Sequence, residues 1–350
     1  MPNNNYTSIE ITTSSIVKSI LIILLFILLY VLKDVVIIFL FAIIIASALS
    51  PFASWLDERR FPRLLGVLLL YLIIFSLFVF VSVLVIPYFS KELGQLTQTL
   101  PKVIERLSAS LETVQSGSPQ YLDFISELQN ILESVSNYFQ QSAQSIISVI
   151  ASIFGGVFSF IAIIVISFYL AVTRRGIETF LSSVVPDEYE NYVIDLWKRT
   201  EVKVGRWLQG QMLLGLIVGL VVYVGLSLMN IKFALILGVL AMLLEIVPMV
   251  GPVIAAIPSI FLALLQSPSL GLWVLVFYVI VQQTENHILV PLVFSKTIGL
   301  NPVVVIIALL VGQQLAGIPG MIISVPVATI VVEMLDDVAK RKEELKRTSV

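Results

Sequence analysis

Six consecutive polar side chains, Gln282-Gln283-Thr284-Glu285-Asn286-His287, interrupt an otherwise apolar run from Leu270 to Phe294. They bring amide donors and acceptors, a carboxylate, a hydroxyl and an imidazole to adjacent turns of one helix. The run has the length of a membrane span. An ionised carboxylate at membrane depth costs at least ~2.5 kcal/mol unless it is paired or hydrated. The patch therefore has to face protein or water, which reads as a solute or ion pathway. Helical spacing puts Gln282, Glu285 and Leu289 on one face and Gln283, Asn286 and Val290 on the next. The amides suit a polyol, Glu285 suits a cation or a proton, and His287, the single histidine of the chain, is a candidate for proton handling. The competing reading is an interhelical hydrogen-bond network that only holds a bundle together.

Glu245 is the second candidate. It ends a short apolar run just before Val247-Pro248-Met249-Val250-Gly251-Pro252. Pro248 and Pro252 lack backbone donors and Gly251 allows a sharp turn. Unwound backbone at membrane depth turns free carbonyls and amides toward a cavity, where a neighbouring carboxylate binds a cation or carries a proton. The alternative is a glutamate that caps a helix or pairs with a neighbouring one. Gln209, Gln211, Gln313 and Gln314 are further polar groups at or near membrane depth.

Other chemistries are poorly supported. There is no cysteine, and one histidine cannot build a histidine metal cluster. No phosphate loop, nucleophile elbow or HExxH pattern occurs. The expectation is a protein that is not an enzyme and needs no cofactor or metal. A net charge of −2 without a basic patch points to no nucleic acid partner.

The elements that must position these residues are membrane helices. Of 350 residues, 58% are hydrophobic and 13% charged, with mean hydropathy +1.01; soluble domains carry about 25% charge. The partner implied throughout is membrane lipid. Spans are expected at 16–32, 35–49, 64–87, 146–173, 208–229 and 270–294. The first pair should form a tight hairpin about Lys33-Asp34, with Pro51 ending the second. Gly215 and Gly219, four apart, allow close helix approach within the chain. The runs 233–247, 253–265, 301–311 and 318–333 are too short or too interrupted for simple spans. Pro258, Pro291, Gly312, Gly317, Gly320 and Pro326 are the candidate hinges or helix breaks, and the short runs read as re-entrant hairpins.

The fold class expected is an all-α polytopic membrane protein: six long transmembrane helices plus two broken or re-entrant helical hairpins, nominally eight spans, and an extramembrane α-hairpin. That last element is read from apolar stripes across 88–145, split by Ser116-Gly117-Ser118-Pro119; two helices lying on the membrane surface are the alternative. The organisation is then a three-span region (1–87), the extramembrane hairpin (88–145), a transport core (146–335) and a charged tail (336–350). Arginines and lysines in 51–63, 174–206 and the tail place those segments and both termini in the cytoplasm, with 88–145 outside. Trp197 and Trp207 suit the headgroup layer.

The segment Val247-Pro248-Met249-Val250-Gly251-Pro252, continuing through Pro258, resembles one signature of the autoinducer-2 exporter family. Gln283-Thr284-Glu285-Asn286-His287-Ile288-Leu289-Val290-Pro291-Leu292-Val293 resembles its second, and Gly299-Leu300-Asn301-Pro302, Gly317-Ile318-Pro319-Gly320 and Val325-Pro326 continue it. Gln313-Gln314 departs from a common Gly-Gly. The resemblance implies a multi-pass inner or plasma membrane protein of eight spans, compatible with a homo-oligomer, with Glu245, Pro248, Gly251, Pro252, Glu285, Asn286, Pro291, Gly317, Gly320 and Pro326 at family positions. It also implies either export of a small polar solute such as the quorum-sensing furanone, or sodium (lithium)/proton antiport. A non-transporting membrane scaffold is the reading of another class.

Overall fold

The computed structural model describes residues 13–76, 156–173, 175–294 and 300–348, with isolated positions between 79 and 87. Every element among them is helical: α1 (Thr13–Val31), α2 (Lys33–Glu58), α3 (Arg63–Ser76), α4 (Val157–Val172), α5 (Gly176–Val184), α6 (Asp187–Leu228), α7 (Ala234–Leu244), α8 (Val250–Gln266), α9 (Pro268–Thr284), a π-helical turn (Glu285–Leu289), α10 (Val290–Phe294) and α11 (Pro302–Thr348). The rest of the third span, the 88–145 hairpin, the start of the fourth span and Gly299 lie outside the described residues.

Three of these helices are long and apolar enough to cross a bilayer: α2, α6 and α11. α4 and α5, bent by 89° at their junction, make a fourth if taken as one span. The expected eight is therefore not reached by intact helices among the described residues.

Several expectations give way to helix continuity. α1 and α2 form no hairpin and touch only at their joint. Leu32 N–H bonds Leu28 O at 2.9 Å and Val36 N–H bonds Leu32 O at 3.0 Å, so the helical ladder runs past Lys33-Asp34. Both residues keep helical geometry, and Asp34 in the first turn of α2 complements the helix dipole. α2 likewise carries through Pro51 to Glu58. The charged segment 187–206 is not a loop but the first half of α6, continuous with the fifth span over 42 residues. Asp187, Glu188 and Glu190 in its first turn complement the helix dipole. Trp207 is 2% exposed, in the core rather than the headgroup layer.

Both broken hairpins are present. α7 and α8 fold back on each other about residues 245–249, and a Cβ on Gly251 would run into the Leu244 carbonyl across the turn. α11 is two arms: Ala316 (φ −149°, ψ 19°) and Gly317 (φ 62°, ψ −138°) leave helical geometry, and Gly312 abuts the Gly320 carbonyl. In an unbroken helix those glycines would stand ~12 Å apart.

One apolar core joins α6, α7, α8 and α9 through residues such as Leu214, Val222, Leu237, Ala255 and Val274. Gly215 and Gly219 supply the close approach there, facing Met242 and Gly238 of α7. A second core gathers Phe41, Ile44, Trp207, Val247, Ile322 and Ile323 from α2, α6, the α7–α8 turn and α11. The turn is thus wedged between α6 and the α11 hairpin.

Candidate functional site

Glu245 follows the last residue of α7, where the apolar helix stops against Pro248. The chain reverses through Met249, whose φ of 65° and ψ of −39° are unusual for a residue with a side chain. Val250 N–H donates to Pro248 O at 2.7 Å, closing a three-residue γ-turn around it. This form of γ-turn is rare and strained, and such strain costs of order 1–3 kcal/mol. Pro248 is half-buried, Gly251 and Pro252 are buried, and α8 begins at once.

Glu285 is reached from α9. Pro291 has no N–H and its ring would crowd the carbonyl one turn back. The preceding turn widens: residues 285–289 are π-helical and Val290 N–H bonds Glu285 O. Widened turns of this kind are frequent at functional sites. Glu285 sits at the start of this one, directed inward.

The two glutamates meet. Glu245 is 1% exposed and Glu285 3%. Their carboxyl groups are immediate electrostatic neighbours, with Gln282 beside Glu285. They stand close enough for one protonated carboxyl group to hydrogen-bond the other. Both Glu245 carboxylate oxygens and Glu285 Oε2 are buried without a partner among the described residues. Gln211 of α6, 2% exposed, donates its side-chain amide to the Glu245 backbone carbonyl. Gly215 leaves room for the glutamate: a Cβ there would stand 3.3 Å from Glu245 Cβ.

The polar hexad does not act as one patch. Gln282 is half-buried beside Glu285, whereas Gln283, Asn286 and His287 are exposed on the surface of the chain. His287 Nδ1 lies 3.0 Å from Gln283 O, a contact within its own helix. Successive helical residues turn ~100°, so six in a row cannot all face one crevice.

The candidate hinges also divide. Gly317 carries the break with Ala316, while Gly312 and Gly320 are where the two arms touch. Pro258 and Pro326 lie inside helices that continue through them, correcting their reading as breaks. Pro291 acts through the turn before it.

Gln211 was visible as an amide near the start of the fifth span, but only the fold brings it to Glu245. The buried Ser259 and Tyr278 hydroxyls, 2.7 Å apart between α8 and α9, carried no motif. Two carboxyl groups facing each other with free oxygens form a seat for a proton or a small cation. No group of three or more acidic or histidine side chains fit for a metal occurs among the described residues.

The model of the AI-2E family transporter matches residues 19–340. The chain is 29% identical over 282 residues to YueF of Bacillus subtilis, covering 78% of this chain and 76% of that protein. It is 25% identical over 309 residues to the AI-2 transport protein TqsA of Escherichia coli, covering 87% of each.

Proposed function

The chain belongs to the AI-2E transporter family, and from that premise we propose that it is a secondary transporter whose Glu245–Glu285 pair takes up a proton or small monovalent cation in each cycle. Members of this family are transporters, not enzymes. The observation carrying the reading is the pair itself: two buried carboxyl groups side by side, three of their oxygens without partners. Neighbouring carboxylates in a low-dielectric interior do not both stay ionised unaided. A proton or a cation resolves the repulsion, and exchanging one for the other is antiport. Gln211, the strained turn at Met249 and the widened turn at Glu285 make this a built site.

Export of a small polar solute such as the quorum-sensing signal is the second reading. It is favoured by the similarity to the AI-2 transport protein and by Gln282 beside Glu285. Flux in reconstituted vesicles separates the two. Sodium or lithium uptake driven by a pH gradient, lost in Glu285→Gln, supports exchange at the pair. Movement of labelled signal molecule that persists in that variant, without cation flux, supports solute export.

A further inference from the structure

Three features follow one another along α6. Nearest the charged end is a ladder to α11. Arg199 Nη1 lies 3.0 Å from Glu333 Oε1 and Nη2 lies 2.6 Å from Asp337 Oδ2, while Lys203 Nζ pairs with Glu333 Oε2. Position 199 meets 337 and position 203 meets 333, so α6 and the second arm of α11 run antiparallel here. One turn on is Trp207, 2% exposed and packed with Ile44 of α2, Val247 of the α7–α8 turn, and Ile322 and Ile323 of α11. One turn beyond is Gln211, which holds Glu245. At 1.5 Å per residue each step is ~6 Å.

Beside the ladder is a cavity of about 20 Å³ between α2, α6 and α11, bordered by Ser47, Thr200, Glu201 and Val204. Thr200 is 2% exposed and its hydroxyl has no partner among the described residues. Its exposed walls are almost wholly apolar, and a void of that kind stays dry. Along α6, Trp207 stands between Lys203 of the ladder and Gln211, which holds Glu245.

We propose that Trp207 and its cluster are the closed inner plug on the route to Glu245 and Glu285, and that the Arg199/Lys203–Glu333/Asp337 ladder holds the plug shut. This rests on reading the carboxyl pair as the cargo site. One element carries both parts: the second arm of α11 gives Ile322 and Ile323 to the plug and Glu333 and Asp337 to the ladder. That arm starts at the break of Ala316 and Gly317, where the helical hydrogen-bond pattern is interrupted. Releasing the ladder frees the arm to part from α6 and admits water past Trp207.

The chain has no cysteine, so Val247→Cys gives a single reporter inside the cluster that buries Trp207. A membrane-impermeant thiol reagent is applied to each face of oriented vesicles, with the ladder intact, with Arg199→Gln and Lys203→Gln, and with Trp207→Ala. The expected result is slow labelling with the ladder intact and labelling faster by about tenfold in both altered proteins, only from the face bearing the charged end. Neutralising the other side of the ladder, Glu333→Gln with Asp337→Asn, gives the same acceleration. Equal rates in intact and ladder-neutralised proteins, or acceleration from the opposite face, overturn the proposal. If Trp207→Ala does not fold, the ladder variants and Trp207→Phe decide it. Labelling reads access and not flux. Failure of Glu245→Gln and Glu285→Gln to alter transport would thus refute the cargo site while leaving the labelling result to judge the plug.

Discussion

The side-chain amide of Gln211 donates to the backbone carbonyl of Glu245, tying the longest unbroken helix to the end of the short one that carries the carboxylate. Both residues are buried, so this bond sets where the carboxyl group stands. Replacing Gln211 by Leu leaves the Glu245 carbonyl without that donor, at a cost of about 1–3 kcal/mol. The expected outcome is a lower melting temperature in detergent together with reduced flux.

Glu245 and Glu285 should behave as one unit. Glu245→Gln or Glu285→Gln alone is expected to abolish coupled flux, and the double variant to lose no more than either single one. A double-mutant cycle on flux or cation affinity tests this. Contacting residues typically couple by 0.5–3 kcal/mol, and strictly additive effects would place the two groups in separate roles.

Met249 holds a positive φ at the tip of the α7–α8 hairpin. Glycine adopts that geometry without a side-chain penalty. Met249→Gly should therefore keep or raise thermal stability, the relieved strain of ~1 kcal/mol opposing glycine's greater unfolded-state entropy. Met249→Val should lower it, because a β-branched side chain tolerates positive φ worst. Melting curves of the two variants against the parent check the order.

Gly251 and Gly312 are close-approach positions. A Cβ at Gly251 runs into the Leu244 carbonyl and one at Gly312 into the Gly320 carbonyl, backbone groups that cannot swing aside. Alanine at either site is expected to destabilise by about 1–3 kcal/mol. Gly156→Ala is the contrast for contact alone, since a Cβ there meets no atom of the described residues within 4 Å, though its φ of 101° adds conformational strain.

The ladder should titrate with acid. The Arg199 guanidinium, hydrogen-bonded to Asp337, holds that carboxyl below its ordinary value of 3.8, with Lys340 and Tyr192 also lowering it against partial burial. Glu333, Lys203 and Asp195 complete the charged surroundings. A depressed carboxylate contributes stability above its unfolded value and loses it as pH falls through the folded one. Asp337→Asn should therefore melt lower than the parent at neutral pH, by at most about 1 kcal/mol for a partly exposed pair. The difference should vanish well below pH 3.8.

Much of the architecture was legible in the residues. Composition and the length of apolar runs identify membrane helices, because hydrocarbon rejects polar backbone and charge whatever the neighbours are. The short runs around Pro248 and Gly317 announced two broken hairpins, since proline removes a donor and glycine relaxes φ wherever they stand. Pro258 and Pro326 misled for a related reason. A proline inside a helix removes one bond, and packing decides whether the helix bends, breaks or carries on. Lys33-Asp34 misled because polarity was taken for a turn where the backbone had no reason to reverse.

The spacing of Arg199 with Lys203 and of Glu333 with Asp337, four residues each, was equally visible. No local rule said that one pair would face the other across 130 residues of chain or more. The same holds for the site. Sequence alone marked Glu245 and Glu285 as costly carboxylates at membrane depth, a property of each residue and its immediate run. That they share one buried seat, with Gln211 beneath and Trp207 below that, was decided by how α6, α7, α9 and α11 pack. Which charges end up adjacent is a matter of distances between segments, and only the folded chain sets those.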